Sequence, residues 1–178
     1  MPPAPVSDVP LTALALDRLR RSADAIAALV RGLPIEAVRW KPAPERWSVL
    51  EVICHLGDEE VHDFRTRVRL TLQDPAAPWP PIEPSRWAVE RRYNEQPAGP
   101  ALARFLDERA TSLSWLAAQR EARWDNVHEH PQAGPLTARR LVANWMAHDL
   151  LHLRQLARLQ YEALAARGEA LDYAGPWT

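Results

Sequence analysis

The part of this chain best able to do chemistry reads Leu141-Val-Ala-Asn-Trp-Met-Ala-His148-Asp-Leu-Leu-His152-Leu-Arg-Gln155. Residues four apart on an α-helix lie about 40° apart around the axis and about 6 Å along it. His148 and His152 would therefore stand one above the other, placed to meet a single metal ion. Leu141, Asn144, Gln155 and Leu159 fall within about 40° of His148 by the same arithmetic. A stripe that mixes Asn, two His and Gln with leucine is costly to bury, on the order of 1–3 kcal/mol for each unpartnered polar group. On its own, the His-x-x-x-His spacing on an Arg-rich helix more often marks two surface histidines than a metal site. A catalytic metal site usually takes three protein ligands and leaves a position open. The third must come from another segment, and the candidates are His55, His62, His128 and His130.

The elements that would carry these residues are marked out by proline. Sixteen of the 17 prolines crowd into residues 2–10, 34–44, 75–84, 97–100 and 131–135, leaving four proline-free stretches of helical pattern between them. The first helix is expected over residues 11–31, with Gly32 as its stop. The second is expected over 48–73, opened by Ser48-Val-Leu-Glu51, the signature of a capping box. The third is expected over 100–121, with Pro100 as first helical residue, and the fourth over 137–167, with Thr137 as N-cap and Gly168 as stop. No strand pattern competes. The expectation is an all-α, four-helix bundle in one domain spanning 1–178, with a long loop between helices 2 and 3. That loop, from Asp74 to Pro100, exceeds the usual two to eight residues and carries Trp79, Trp87 and Tyr93, so it should pack on the bundle or close over its mouth.

Projecting the second helix puts Val52, Glu59, His62 and Thr66 near His55, while its main apolar stripe (Leu50, Ile53, Cys54, Val61, Phe64, Val68) points elsewhere. Periodicity thus leaves His55 on a polar face and does not choose between it and His62. Cys54 lies about 100° round the helix from His55 and reads as a buried apolar residue. Glu59 could orient an imidazole or be a solvated charge. The stretch His128-Glu-His130, flanked by proline, reads as an exposed loop.

Taken together, Arg46-Trp-Ser-Val-Leu-Glu-Val-Ile-Cys-His55-Leu and, about ninety residues on, Ala147-His148-Asp-Leu-Leu-His152-Leu-Arg-Gln155 resemble the DinB superfamily. That group takes in DinB-like damage-inducible proteins and the bacillithiol, mycothiol and glutathione S-transferases related to them. The resemblance covers nearly the whole chain and implies that His55, His148 and His152 are the metal ligands. It further implies zinc or nickel as the ion, which imidazole ligation suits, and a low-molecular-weight thiol as cosubstrate. In that picture the chain is a metal-dependent thiol S-transferase acting on an electrophile, with Asn144, Gln155 and Arg69 contacting substrate and tryptophans walling the site. The catalytic groups beyond the ligands stay unassigned, Glu59 being the one weak candidate. Such a metal acidifies what it binds, bringing water toward neutral pKa and deprotonating a thiol. The alternatives are a non-catalytic, stress-associated metal-binding bundle, a homodimeric interaction module, or metal-assisted hydrolysis with Glu59 as base.

Composition excludes several other classes. Twenty-two basic and 23 acidic side chains give a net charge of -1, without the basic excess of a nucleic-acid binder. Arginine is spread along every helical segment. One cysteine cannot form an internal disulfide. No apolar run approaches the roughly 20 residues that span a bilayer, and Met1-Pro-Pro-Ala-Pro5 lacks the basic start and apolar core of a signal peptide. A cytoplasmic location is the expectation. Eight tryptophans outnumber the three tyrosines and two phenylalanines together, and most are expected in helix packing.

Overall fold

The structure is a computed structural model that describes residues 10–168, 170–175 and 177; the Met1–Pro5 segment lies outside them. Four long helical stretches form a bundle: α1 (Leu11–Val30), a second stretch made of α3 (Val49–Asp58), a π-helical segment (Glu59–Phe64) and α4 (Arg65–Gln73), then α6 (Ala98–Ala117) and α7 (Ala138–Ala165). Two short helices, α2 (Ile35–Arg39) and α5 (Pro84–Glu90), and a 3-10 turn at Tyr93–Glu95 fill the connections, and a second 3-10 turn at Asp172–Ala174 follows α7. The expected helices all form. The capping box is present as read: Glu51 N–H donates to Ser48 Oγ at 3.1 Å, and Ser48 N–H to Glu51 Oε2 at 2.7 Å. Thr137 caps α7 through Arg140 N–H, and Gly32 ends α1 with a φ of +78° that a side chain would resist. Helix α6 starts two residues early, with Pro97 as its N-cap, and stops at Ala117.

Helix α1 packs on α6 and α7, and the α3–α4 stretch packs on the same two helices. Going round the bundle the order is therefore α1, α6, α3–α4, α7, so the first and third connections cross it diagonally. Residues 31–48 and 118–137 are long enough to make those crossings. The second crossing corrects the expectation of no strands. Strands β1 (Val127–His130) and β2 (Gly134–Thr137) form an antiparallel hairpin, with His128 opposite Leu136. Its four-residue strands contain Pro135 and Gly134 and little β-branched character, so pairing is imposed by tertiary docking rather than propensity. His128, expected in an exposed loop, is buried: its ring stacks on Trp79 at 4.0 Å and its Nδ1 lies 2.9 Å from the Pro75 carbonyl.

Two apolar clusters fill the bundle, one towards each end. The first includes Ile26, Leu50, Ile53, Leu56, Phe105 and Leu156. The second includes Leu19, Phe64, Val68, Leu116, Val142 and Trp145. Between them every long stretch contributes a buried polar residue: Ser22 from α1, Glu60 from the π-helical segment, Arg109 from α6 and Asp149 from α7. Arg109 donates to both Asp149 oxygens at 2.6 and 2.9 Å, to Glu60 Oε1 at 2.7 Å and to the Leu19 carbonyl at 2.7 Å. Trp145 Nε1 donates to the same Glu60 oxygen at 2.8 Å. A charged layer thus divides the core, and the histidine cluster lies beside it. Among the described residues no helix is long and apolar enough to cross a membrane.

Candidate metal centre

His148 and His152 are one turn apart on α7, and their Nε2 atoms are 3.1 Å apart. That is close to the roughly 3.3 Å expected between two nitrogens bonded at about 2.0–2.1 Å to one tetrahedral ion. His55 comes across from α3, its ring 4.9 Å from that of His152 and 5.4 Å from that of His148. One nitrogen from each of the three lies within 4.8 Å of the others. The structure brings His55 to the α7 pair, whereas His62 packs edge-on against Trp87. Phe64 and Trp47 wall the cluster, 5.1 Å from His148 and 4.7 Å from His55.

His55 does not sit on an exposed polar face: all ten residues of α3 are buried. Helices α2, α5, α6 and α7 all pack on α3, so the amphipathic logic that assigns one face to solvent does not apply to it. Sequence periodicity also missed the π-helical segment that follows. Its wider turn lets Glu59, Glu60, Asp63 and Phe64 all point inward, and Thr66 Oγ1 donates to the Val61 carbonyl five residues back.

The cluster is set up in its neutral form. Burial, with the neighbouring His152 and His148, pushes the His55 pKa down to about 2. Burial, with His152 and Arg109 nearby, pushes His148 down to about 3. Burial also lowers His152, partly offset by its hydrogen bond to Gln155. That bond, 2.8 Å from Nδ1 to Gln155 Oε1, requires the proton on Nδ1 because an amide oxygen only accepts. His152 Nε2 is left with a free lone pair aimed at His148. Gln155 therefore orients a histidine from behind.

His55 Nδ1 and Glu59 Oε1 face each other at 3.6 Å, both buried and neither with another hydrogen-bond partner. Burial, then the adjacent Asp63, raises the Glu59 pKa to about 9. Glu59 is therefore protonated at neutral pH and sits behind the imidazole, where it supports His55 rather than a reacting group. In the unfolded chain its pKa returns to the ordinary carboxylate range, so between about pH 5 and 9 folding takes up a proton and stability falls as pH rises. Glu59→Gln should consequently stabilise the metal-free protein by about 1–3 kcal/mol at pH 8 and by much less at pH 5. Urea unfolding at both pH values checks this, and a pH-independent difference would contradict it.

The remaining residues named from sequence lie as follows. Asn144 is on the rim one turn before His148, exposed, its amide nitrogen donating to the Arg140 carbonyl at 2.7 Å. Arg69 lies outside the cluster: it donates to Gln73, and fourteen residues of helix put it roughly 20 Å along the axis from His55. Cys54 is buried as read, and Asp149, next to His148, belongs to the charged layer. The long connection does not cover the histidines. Trp79 is stacked on His128 with Arg67 also over its ring, Trp87 contacts His62, and the Tyr93 hydroxyl donates to buried Asp58. The seven-residue pattern of α5 is masked in the sequence by the prolines at 75, 78, 80, 81 and 84.

A crossed four-helix bundle that gathers three neutral histidines, one from α3 and two from α7, is a metalloprotein scaffold. The family model of the DinB superfamily matches residues 18–156, and the chain belongs to that superfamily. It is 28% identical over 146 residues, 80% of each chain, to a protein of Geobacillus thermodenitrificans (strain NG80-2) named "Putative metal-dependent hydrolase". Its fold is similar to that of a solved structure, described as "YfiT from Bacillus subtilis is a probable metal-dependent hydrolase with an unusual four-helix bundle topology", with a TM-score of 0.77 at 15% identity over 92% of this chain and 93% of that one.

Proposed function

We propose that His55, His148 and His152 hold a divalent ion, zinc or nickel, and that the protein is a metal-dependent S-transferase joining a small thiol to an electrophile. The donor set fits the ion. Three imidazoles are kept neutral by burial, two Nε2 atoms are already at near-ligand spacing, and Gln155 fixes the tautomer of one. An ion so held would supply Lewis acidity, stabilising a thiolate at neutral pH.

The observation that carries the choice of thiol is the lack of a base beside the cluster. Among the described residues no carboxylate oxygen joins the three nitrogens within 4.8 Å, and Glu59, the one nominee, faces the Nδ1 of His55 at 3.6 Å. A thiol acidified by the ion needs no protein base. The chain's own part is then to hold the ligands neutral and oriented, to shield one side with Trp47 and Phe64, and to leave access along the exposed α7 rim at Asn144 and Leu151.

Metal-assisted hydrolysis is the second reading, favoured by the names carried by both relatives. One comparison separates the two. Metal-loaded protein is given glutathione, bacillithiol or mycothiol with a bimane or chloro-aromatic electrophile, and in parallel an activated ester without thiol. Conjugation above the uncatalysed rate, lost on chelation and restored by zinc or nickel, is the expected result. Metal-dependent ester cleavage with no thiol conjugation would replace the transferase reading by hydrolysis.

A further inference from the structure

A second constellation lies on another face of α3. Asp58 is fully buried and receives hydrogen bonds from Arg91, Arg104 and the Tyr93 hydroxyl. Beside it opens a cavity of about 370 Å³, lined by both arginines, Asp58, Tyr93, Cys54 and the first turn of α6 at Pro97, Pro100 and Ala101. Cys54 and Asp58 lie about 100° and 60° round α3 from His55, on the same side, so this cavity faces α6 and is separate from the histidine cluster.

Its charges do not cancel. Asp58 neutralises one of its two arginines. The nearby Glu108 is matched by Arg65 at 2.7 Å, and Glu51 by Lys41 at 3.0 Å. Burial holds the Cys54 thiol up at about 12, so it adds no negative charge. One positive charge is left over. Each guanidinium has five N–H donors, and Asp58 takes a single nitrogen from each. Arg91 and Arg104 are 38% and 46% exposed, with Arg91 also stacked on Trp87. Two forked donors on a concave wall, one surplus charge, and proline and alanine opposite make a site for a planar anion with a short hydrocarbon tail.

We propose that this cavity binds a small monocarboxylate between the guanidinium groups of Arg91 and Arg104. Isotope-edited NMR of the full chain with butyrate, its neutral analogue butyramide and inorganic phosphate tests it. Butyrate should shift the amide signals of Cys54, Gln96 and Ala101 saturably, and butyramide should not. Arg104→Gln should weaken butyrate binding at least about tenfold, as loss of a charge-assisted hydrogen bond does. Asp58→Asn, which frees both arginines, should tighten it, and this opposite sign is not expected of a purely structural ion-pair cluster. His148→Ala should bind butyrate as the unaltered protein does, which keeps the result independent of the metal reading. The proposal is overturned if butyrate gives no saturable shift, if phosphate binds more tightly, or if Arg104→Gln has no effect. Loss of butyrate binding in His148→Ala would also overturn it.

Discussion

His148→Ala is expected to abolish stoichiometric metal binding, weakening affinity by well over about 100-fold. Removing a hydrogen-bond partner behind a ligand already costs 10–100-fold, and removing the ligand itself costs more. His148 is the residue to choose because its Nε2 is 3.1 Å from that of His152 and its ring is held against Phe64. Gln155→Leu provides the graded comparison. It keeps all three imidazoles and removes the acceptor that fixes the His152 tautomer, so a loss of about 10–100-fold is expected. Competition with a chromophoric chelator measures both. Equal affinities for His148→Ala and the unaltered chain would mean that the ion, if any, is bound elsewhere.

Arg109→Met should produce the largest loss of stability of any single substitution in the core. Arg109 is 2% exposed and is the cation for two buried carboxylates, Glu60 and Asp149. Breaking a buried pair by removing one partner costs about 3–5 kcal/mol, because the other charge is left uncompensated. For a chain of this size that corresponds to a fall in melting temperature of roughly 6–20 °C. Two further outcomes distinguish stranded charge from simple loss of packing. Adding Glu60→Gln and Asp149→Asn should recover part of the stability. In the single variant Asp149, already raised by burial, loses the guanidinium that lowers it, so the folded state binds more protons than the unfolded one and stability should rise as pH falls from 8 to 5. If the triple variant is no more stable than the single one, packing rather than charge accounts for the loss.

Much of the architecture is local chemistry. The capping box at Ser48 and Glu51, the Thr137 cap, the Gly32 stop and the proline clusters fix where helices begin and end whatever surrounds them, because they act through neighbouring backbone groups. His148 and His152 fall on one face by helical geometry alone. The family resemblance, carried by short stretches around Trp47, His55 and His148, pointed to His55 where periodicity left it level with His62, and the structure places His55 beside the α7 pair.

What the sequence could not decide depended on who packs against whom. Whether His55 is buried turns on four helices packing on α3, information absent from α3's own residues. The π-helical segment was illegible because its extra residue shifts the helical phase, and a 3.6-residue projection assigns Glu59, Glu60 and Asp63 to the wrong faces. The hairpin at Val127–Thr137 is docked by the stacking of His128 on Trp79, a residue about fifty positions earlier in the chain. The charged layer needed four residues from four separate helices, each of which reads singly as a solvated side chain. Asp149 is a clear case: it sits beside His148 in sequence, yet only the approach of Arg109 from α6 explains how a carboxylate there can be buried. Local sequence sets helix, cap and spacing, since those energies are intrinsic to a few adjacent residues. Burial of charge and convergence of ligands are set by distant partners, whose desolvation and pairing energies exist only once the bundle is closed.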